Sequence, residues 1–185
     1  MDGLILIDKP PEVTSHDVVV RVRRILNQQR VGHFGTLDPL ATGLLLIAVG
    51  RAVRLFPFYS KHDKGYAGKI RLGFSTDTYD ATGKPTSEKS RCLPDRHALL
   101  EAMRKLTGRI DQLPPPFSAK KLGGKPLYKW ARANKAVALR PSTVFVHAFD
   151  LVDYGPPFLS FKIRCSSGTY VRSVAHELGR NLGCG

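Results

Sequence analysis

Cysteine is sparse and unpatterned in this sequence. Cys92, Cys165 and Cys184 are odd in number and widely spaced, with no Cys-x-x-Cys pair and no Cys/His spacing suited to a metal. That excludes a disulfide framework and leaves reduced, cytoplasmic thiols as the expectation. Long apolar runs are missing too: the longest, Leu44 to Val49, is far too short to cross a bilayer. The first residues, MDGLILIDKPPEV, have neither the basic start nor the small-residue cleavage site of a secretory leader, so none is expected. No repeat or low-complexity tract occurs. His16, His62, His97, His147 and His176 form no HxxxH or HExxH spacing, and no Ser-His-Asp order or nucleophile elbow is present. GHFGTLDPLATG is glycine-rich but lacks the Lys-Ser/Thr ending of a phosphate-binding loop.

Negative charge is the other scarcity. Lys and Arg number 29 against 15 acids, a formal net charge of +14. Such an excess favours a polyanionic partner, because each neutralised phosphate releases condensed counterions. A solvated basic surface or a membrane-surface role stays open on charge alone. The imbalance is concentrated. From Gln112 to Phe149 there is no Asp or Glu, while Lys120, Lys121, Lys125, Lys129, Arg132, Lys135 and Arg140 are interleaved with Tyr128 and Trp130. Cations mixed with aromatics suit phosphate contact plus base stacking, although a solvated helix with inward-turned aromatics has the same pattern. With 185 residues, 42% hydrophobic and 24% charged, the chain has the makings of one domain, or one domain with a small appendage.

Periodicity places the elements. Gly3 to Ile7 reads as a buried strand ended by Pro10 and Pro11. Thr14 and Asp17 have capping-box spacing ahead of a helix with Val18, Val22, Ile25 and Leu26 on one face, and Arg21, Arg23 and Arg24 off it and available to solvent or a ligand. LLLIAV and GYAGKIRLG read as strands, with FSTDTYDATGKPT a polar, turn-rich excursion after them. Asp95 caps a helix carrying Ala98, Ala102, Met103 and Leu106, stopped at Gly108. Pro114 to Pro116 keep the chain extended, KLGGK reads as a hinge, and LYKWARANK as a short helix. Two alternating strands follow, the second with Phe161, Ile163 and Cys165 facing one way. A last helix after Gly168 gathers Val171, Val174, Ala175, Leu178 and Leu182 on one face. Hairpin-like strands with intervening helices indicate an α+β fold rather than an alternating barrel.

Asp38 is the residue that asks for a chemical explanation. Asp-Pro is a common turn initiator, so a structural role is open to it. Its apolar neighbours Leu37, Leu40 and Leu44 to Ile47 are also expected to keep water off one side of the loop. Desolvation of that kind tunes a carboxylate, and a lone ionised carboxylate can serve as a covalent nucleophile. Positive charge to hold it could come from Arg172. His33, five residues before Asp38, fits a structural or a catalytic role. Tyr66 and Tyr170 fit equally as stacking platforms or as core.

In order along the chain, GLILIDKPPEVTSHDVV, RVGHFGTLDPLATGLLLIAVGRAVR, KGYAGKIRLGFSTDTYDATG, PPPFSAKKLGGKPLYKWAR and CSSGTYVRSVAHELGRNLGCG closely resemble the bacterial tRNA pseudouridine synthases of the TruB family. The resemblance covers nearly all 185 residues. It implies a mixed, largely antiparallel sheet with flanking helices, and isomerisation of uridine to pseudouridine in the T loop of tRNA without metal or organic cofactor. Asp38 is then the essential carboxylate, with addition to the base, addition to the ribose and proton handling all open. By the same resemblance Tyr66 stacks on the flipped base and can take part in proton removal, and Arg172 pairs with and orients Asp38. Tyr170 packs at the same pocket, and His33 helps hold the T loop open. Residues 112–141 match a flexible basic arm that grips the T stem-loop, within a catalytic domain spanning 1–185. A cytoplasmic monomer with tRNA as partner, no membrane and no obligate protein partner is implied.

Base flipping costs a few kcal/mol of stacking, which aromatic and phosphate contacts offset. Family members usually continue past LGCG with a strand, and many carry a further RNA-binding domain, so this chain is expected to lack the core's last segment. The competing expectations are a non-catalytic tRNA-binding or folding protein and an inactive fragment of such an enzyme.

Overall fold

Strand β1 (Gly3–Lys9) runs two residues past the expected end, because Asp8 and Lys9 still pair with Leu44 and Gly43. The chain is described here in a computed structural model at residues 1–118, 120–133, 135 and 137–185. It divides into two compact units, Met1–His62 and Asp63–Gly185.

In the first unit, Thr14 caps α1 (Ser15–Leu26) with both halves of the capping box formed, its hydroxyl accepting from Asp17 N and Asp17 accepting from Thr14 N. β2 (Val31–His33) and β3 (Gly43–Val49) follow, then a short 3-10 turn and the single-turn α2 (Phe56–Tyr59). The sheet order is β1-β3-β2, antiparallel throughout. Val19, Val22, Val31, Leu45, Ile47 and Val49 form its core. Two expectations shift. The buried stripe of α1 is centred on Val19 and Val22, leaving Ile25 72% exposed at the stripe's edge in the last turn. Arg23 is not free either, since it donates to Val31 O at 3.0 Å.

The second unit holds β4 (Lys64–Arg71), α3 (Arg96–Lys105), β5 (Gly108–Gln112), the hairpin β6 (Lys121–Leu122) and β7 (Lys125–Pro126), α4 (Leu127–Arg132), β8 (Ser142–Gly155), β9 (Phe158–Cys165) and α5 (Val171–Asn181). Its main sheet is ordered β4-β9-β8-β5, again antiparallel. Asp95 accepts from Ala98 N at 2.7 Å, as its capping role requires. Leu99, Ala102, Met103 and Leu106 of the α3 segment and Val174 and Leu178 of α5 join Leu159, Phe161, Ile163 and Cys165 of β9 in one core. Ala98 lies outside that stripe and is exposed, because Leu99 takes the inward position. The α+β class with an antiparallel sheet and flanking helices is therefore as expected. Among the described residues, no helix is long and apolar enough to cross a membrane.

KLGGK is a tight turn rather than a hinge. Gly123 and Gly124 have φ of 57° and 78° and join β6 to β7, the all-positive pair of a type I′ two-residue hairpin. The expected LYKWARANK helix is formed over Leu127–Arg132. Asn134, in the rest of that segment, and Ala119 and Ala136, elsewhere in the arm, lie outside the described residues. Leu127 is buried, and Tyr128 and Trp130 are half-buried. Each ring already carries a cation of the arm itself: Lys125 Nζ is 5.3 Å from the Trp130 ring and the Arg132 guanidinium 5.5 Å from the Tyr128 ring.

Candidate functional site

Asp38 sits half-buried at the turn between β2 and β3, and its carbonyl accepts from Ala41 N at 3.0 Å. The chain is fixed on both sides of it. On the N-terminal side, Ser15 Oγ accepts from Leu37 N at 2.9 Å and donates to Leu37 O at 3.2 Å. On the C-terminal side, Pro39 O accepts from Glu12 N at 2.9 Å and from Lys9 Nζ at 3.1 Å. Lys9 is fully buried, and its ammonium also donates to Pro10 O and Val13 O, each at 2.8 Å. Three converging carbonyls thus use its three protons, which is how a buried cation is made tolerable without an ion pair. Burial pulls the Lys9 pKa below its usual value, and the nearby Asp38 charge offsets only part of that. Lys9 therefore supplies positive potential near Asp38 from within the same unit, a contribution that sequence reasoning missed.

The apolar collar expected around Asp38 is thinner than its composition implies. Leu37 packs on the core and Leu45 and Ile47 are buried, but Leu40 is 42% and Leu44 68% exposed. Strand alternation sends Leu44 to the opposite face from Leu45. His33 ends β2 in a half-buried position. Burial lowers its pKa, outweighing the opposing effect of the Gly35 backbone, so a neutral imidazole stands there at pH 7. A neutral ring suits stacking better than phosphate pairing.

In the second unit, Tyr66 lies on β4 opposite Ile163, on the side of the strand that packs toward the core. Tyr170 and Arg172 come together at the start of α5, where Tyr170 is the N-cap residue. The Arg172 side chain is only 12% exposed. It donates to Thr78 O at 2.8 Å and to Phe117 O at 3.1 Å, and faces Asp80 Oδ2 at 3.5 Å. Asp80 is held in turn: its Oδ1 accepts from Thr78 Oγ1, Thr82 N and Thr82 Oγ1 at 2.7, 2.9 and 2.6 Å. The polar excursion after β4 is thus a closed turn with one carboxylate oxygen left for Arg172. Gly83 permits it, since a Cβ there would lie 2.5 Å from Asp77 Oδ1 and 2.9 Å from Thr78 N. A guanidinium fork bound on several sides has one orientation.

Gln112, at the end of β5, is a further residue that pattern did not reveal. It is 7% exposed, and its amide clamps both backbone groups of Tyr170, accepting from Tyr170 N at 2.7 Å and donating to Tyr170 O at 3.1 Å. Ser173 Oγ donates to Leu113 O at 2.8 Å beside it. Residues 112–117 therefore splint the first turn of α5, and the same segment leads into the basic arm. Gln112→Ala would strand an N–H and a C=O, so a stability loss of about 1–3 kcal/mol is expected. Gln112→Glu keeps the acceptor but buries a carboxylate against Tyr170 O, so it should be no more stable than Gln112→Ala. Chemical denaturation of the three proteins checks this order, and an unchanged midpoint for Gln112→Ala would refute the clamp.

Among the described residues, no group of three or more His, Cys, Asp and Glu is placed to hold a metal. The chemistry on offer is that of a carboxylate on a rigid loop, a fixed guanidinium, phenol rings at strand and helix starts, and a cationic surface.

Comparison with known proteins gives the following. Residues 23–171 match the family model described as the N-terminal domain of TruB family pseudouridylate synthases. The chain is 48% identical over its whole length to tRNA pseudouridine synthase B of Solibacter usitatus and spans 63% of that protein. It is 45% identical to the same enzyme of Geotalea uraniireducens, spanning 60% of it, and 44% identical to that of Opitutus terrae, spanning 77%. Against the first two, then, it spans less than two thirds of the relative's length. Among solved structures, a Cbf5-Nop10-Gar1 complex matches with a TM-score of 0.74 at 28% identity, covering 99% of this chain and 45% of that one. A second, of an H/ACA RNP bound to a substrate RNA containing 2′-deoxyuridine, matches with a TM-score of 0.70 at 26% identity, covering 99% and 44%.

Proposed function

Because this chain belongs to the TruB family of pseudouridylate synthases, we propose that it isomerises uridine to pseudouridine in the T loop of tRNA. The reaction breaks the C1′–N1 glycosidic bond and forms C1′–C5; C5 gives up its proton and N1 takes one up, directly or by exchange with solvent, so substrate and product are isomers. The observation that carries the proposal is the Asp38 loop, pinned at Leu37 and Pro39 by groups other than the aspartate itself. Such preorganisation suits a carboxylate that must meet a neutral base in one geometry. Asp38 is the essential carboxylate. Tyr66 stacks on the flipped uracil and assists removal of the C5 proton, Arg172 supplies the orienting positive charge, and Tyr170 packs beside the base. His33, a neutral ring, holds the T loop open.

Residues 1–185 act as the catalytic domain, with 112–141 as its RNA-gripping arm. The excess of 29 basic over 15 acidic residues supplies phosphate affinity. The partner is tRNA, met by a monomer in the cytoplasm. The test is to incubate the chain with an unmodified tRNA transcript and map pseudouridine by carbodiimide labelling and primer extension. A stop at the T-loop uridine, absent when that position is a cytidine, is the expected result. Tight tRNA binding with no stop would instead assign this chain a binding role alone.

A further inference from the structure

Among the described residues, Tyr79 is one of three non-glycine residues with positive φ, at 63°. That conformation is disfavoured for a side-chain-bearing residue and persists only where surrounding contacts impose it. The turn closes around it, with Tyr79 N donating to Thr76 O at 3.2 Å and Thr76 Oγ1 to Asp80 O at 2.8 Å. The Tyr79 ring lies flat on the His176 imidazole, centroids 3.7 Å apart and planes 6° from parallel. His176 is four residues after Arg172 on α5, and residues at that spacing share a helix face. Thr78 and Asp80, the neighbours of Tyr79 on either side, are the two residues of the turn that engage Arg172. The turn thus meets α5 at two points one helical turn apart, a polar one at Arg172 and an aromatic one at His176.

We propose that Tyr79 and His176 are a positioning pair for Arg172: their stacked rings dock the 77–83 turn on α5 and so hold the Thr78 carbonyl and the Asp80 carboxylate against the guanidinium. Neither ring touches substrate in this role; both act through Arg172. Without the stack the turn keeps its internal hydrogen bonds but loses its second attachment, and Arg172 samples more than one orientation. Burial lowers the His176 pKa, so the ring that stacks at neutral pH is uncharged and adds no repulsion toward Arg172 or Arg180.

The consequence for turnover rests on the proposed function, whereas the effect on Arg172 does not. Two variants remove a ring with little other change: Tyr79→Asn, because asparagine tolerates the left-handed backbone, and His176→Ala. His176→Phe keeps a flat ring and serves as the rescue. Proton exchange of the Arg172 guanidinium, followed by nitrogen-15 NMR, should accelerate about tenfold in the first two and return toward wild type in His176→Phe, in line with the worth of an aromatic pair. On tRNA, kcat should fall about tenfold in the same two variants with KM within about twofold, since an orientation used in the transition state is what is lost. An Arg172 exchange rate in Tyr79→Asn equal to wild type overturns the proposal, as does a His176→Phe no better than His176→Ala. Should the wild-type chain form no pseudouridine, the proposed function fails, and the exchange measurement alone decides the positioning role.

Discussion

Asp38→Ala is expected to abolish pseudouridine formation, by about a thousandfold or more, while tRNA binding stays within about threefold of wild type. The separation follows from how the loop is held. Leu37 is fixed at both backbone groups by Ser15, and Pro39 O by Lys9 and Glu12. The loop therefore keeps its path when the Asp38 carboxylate is removed. Under the proposed function, affinity for tRNA comes from the net charge of +14, much of it between Gln112 and Phe149, and loss of one acid raises rather than lowers it. Asp38→Asn, which keeps the shape and loses the charge, should be equally inactive. Pseudouridine mapping with filter binding at fixed salt measures both quantities. Turnover at the wild-type rate in either variant would remove Asp38 from the chemistry; loss of binding in parallel would mean that the loop, not the carboxylate, had been tested.

The second large effect is expected at Lys9. Lys9→Met keeps the aliphatic stem but leaves the carbonyls of Pro10, Val13 and Pro39 without their shared donor. Hydrogen bonds to a charged group contribute about 1.5–3 kcal/mol each, set against relief from burying the charge, so a net loss of about 2–4 kcal/mol is expected. Urea denaturation of the 185-residue chain would read it as a lower midpoint at unchanged slope. Turnover should fall further than the unfolded fraction explains, because Pro39 follows Asp38 directly. Lys9→Arg provides the control for charge alone. A planar fork cannot point its donors at three carbonyls converging on one point, so it too should destabilise. A midpoint unchanged in Lys9→Met would show that the buried ammonium is dispensable.

Several elements were legible because their signals are local. The Thr14–Asp17 box, the Asp95 cap and the alternation Phe161, Ile163, Cys165 each lie within a few residues, and all appear in the fold. Where a local signal was blurred, phase decided the outcome. Ile25 and Val19 are both apolar on α1, and which of them is buried depends on the angle at which the helix meets β2 and β3, a property of packing alone. The collar around Asp38 went the same way: a run of leucines reads as continuous, yet pleating sends Leu44 outward.

By itself, the amino-acid sequence determined the α+β class, the family and the acid-free basic stretch after Gln112, and it put forward Asp38, Tyr66, Tyr170, Arg172 and His33 as candidates for chemistry. Those follow from composition, periodicity and ordered motifs, which need no knowledge of distant contacts. Tertiary structure alone decided what holds those residues in place. Ser15 reaches Leu37 across 22 positions, Gln112 reaches Tyr170 across 58, and Arg172 reaches Thr78 across 94. A hydrogen bond between residues so far apart leaves no periodic trace in the chain. It forms only after sheets and helices have packed, when a buried lysine, glutamine or aspartate must find partners because water is no longer there to supply them.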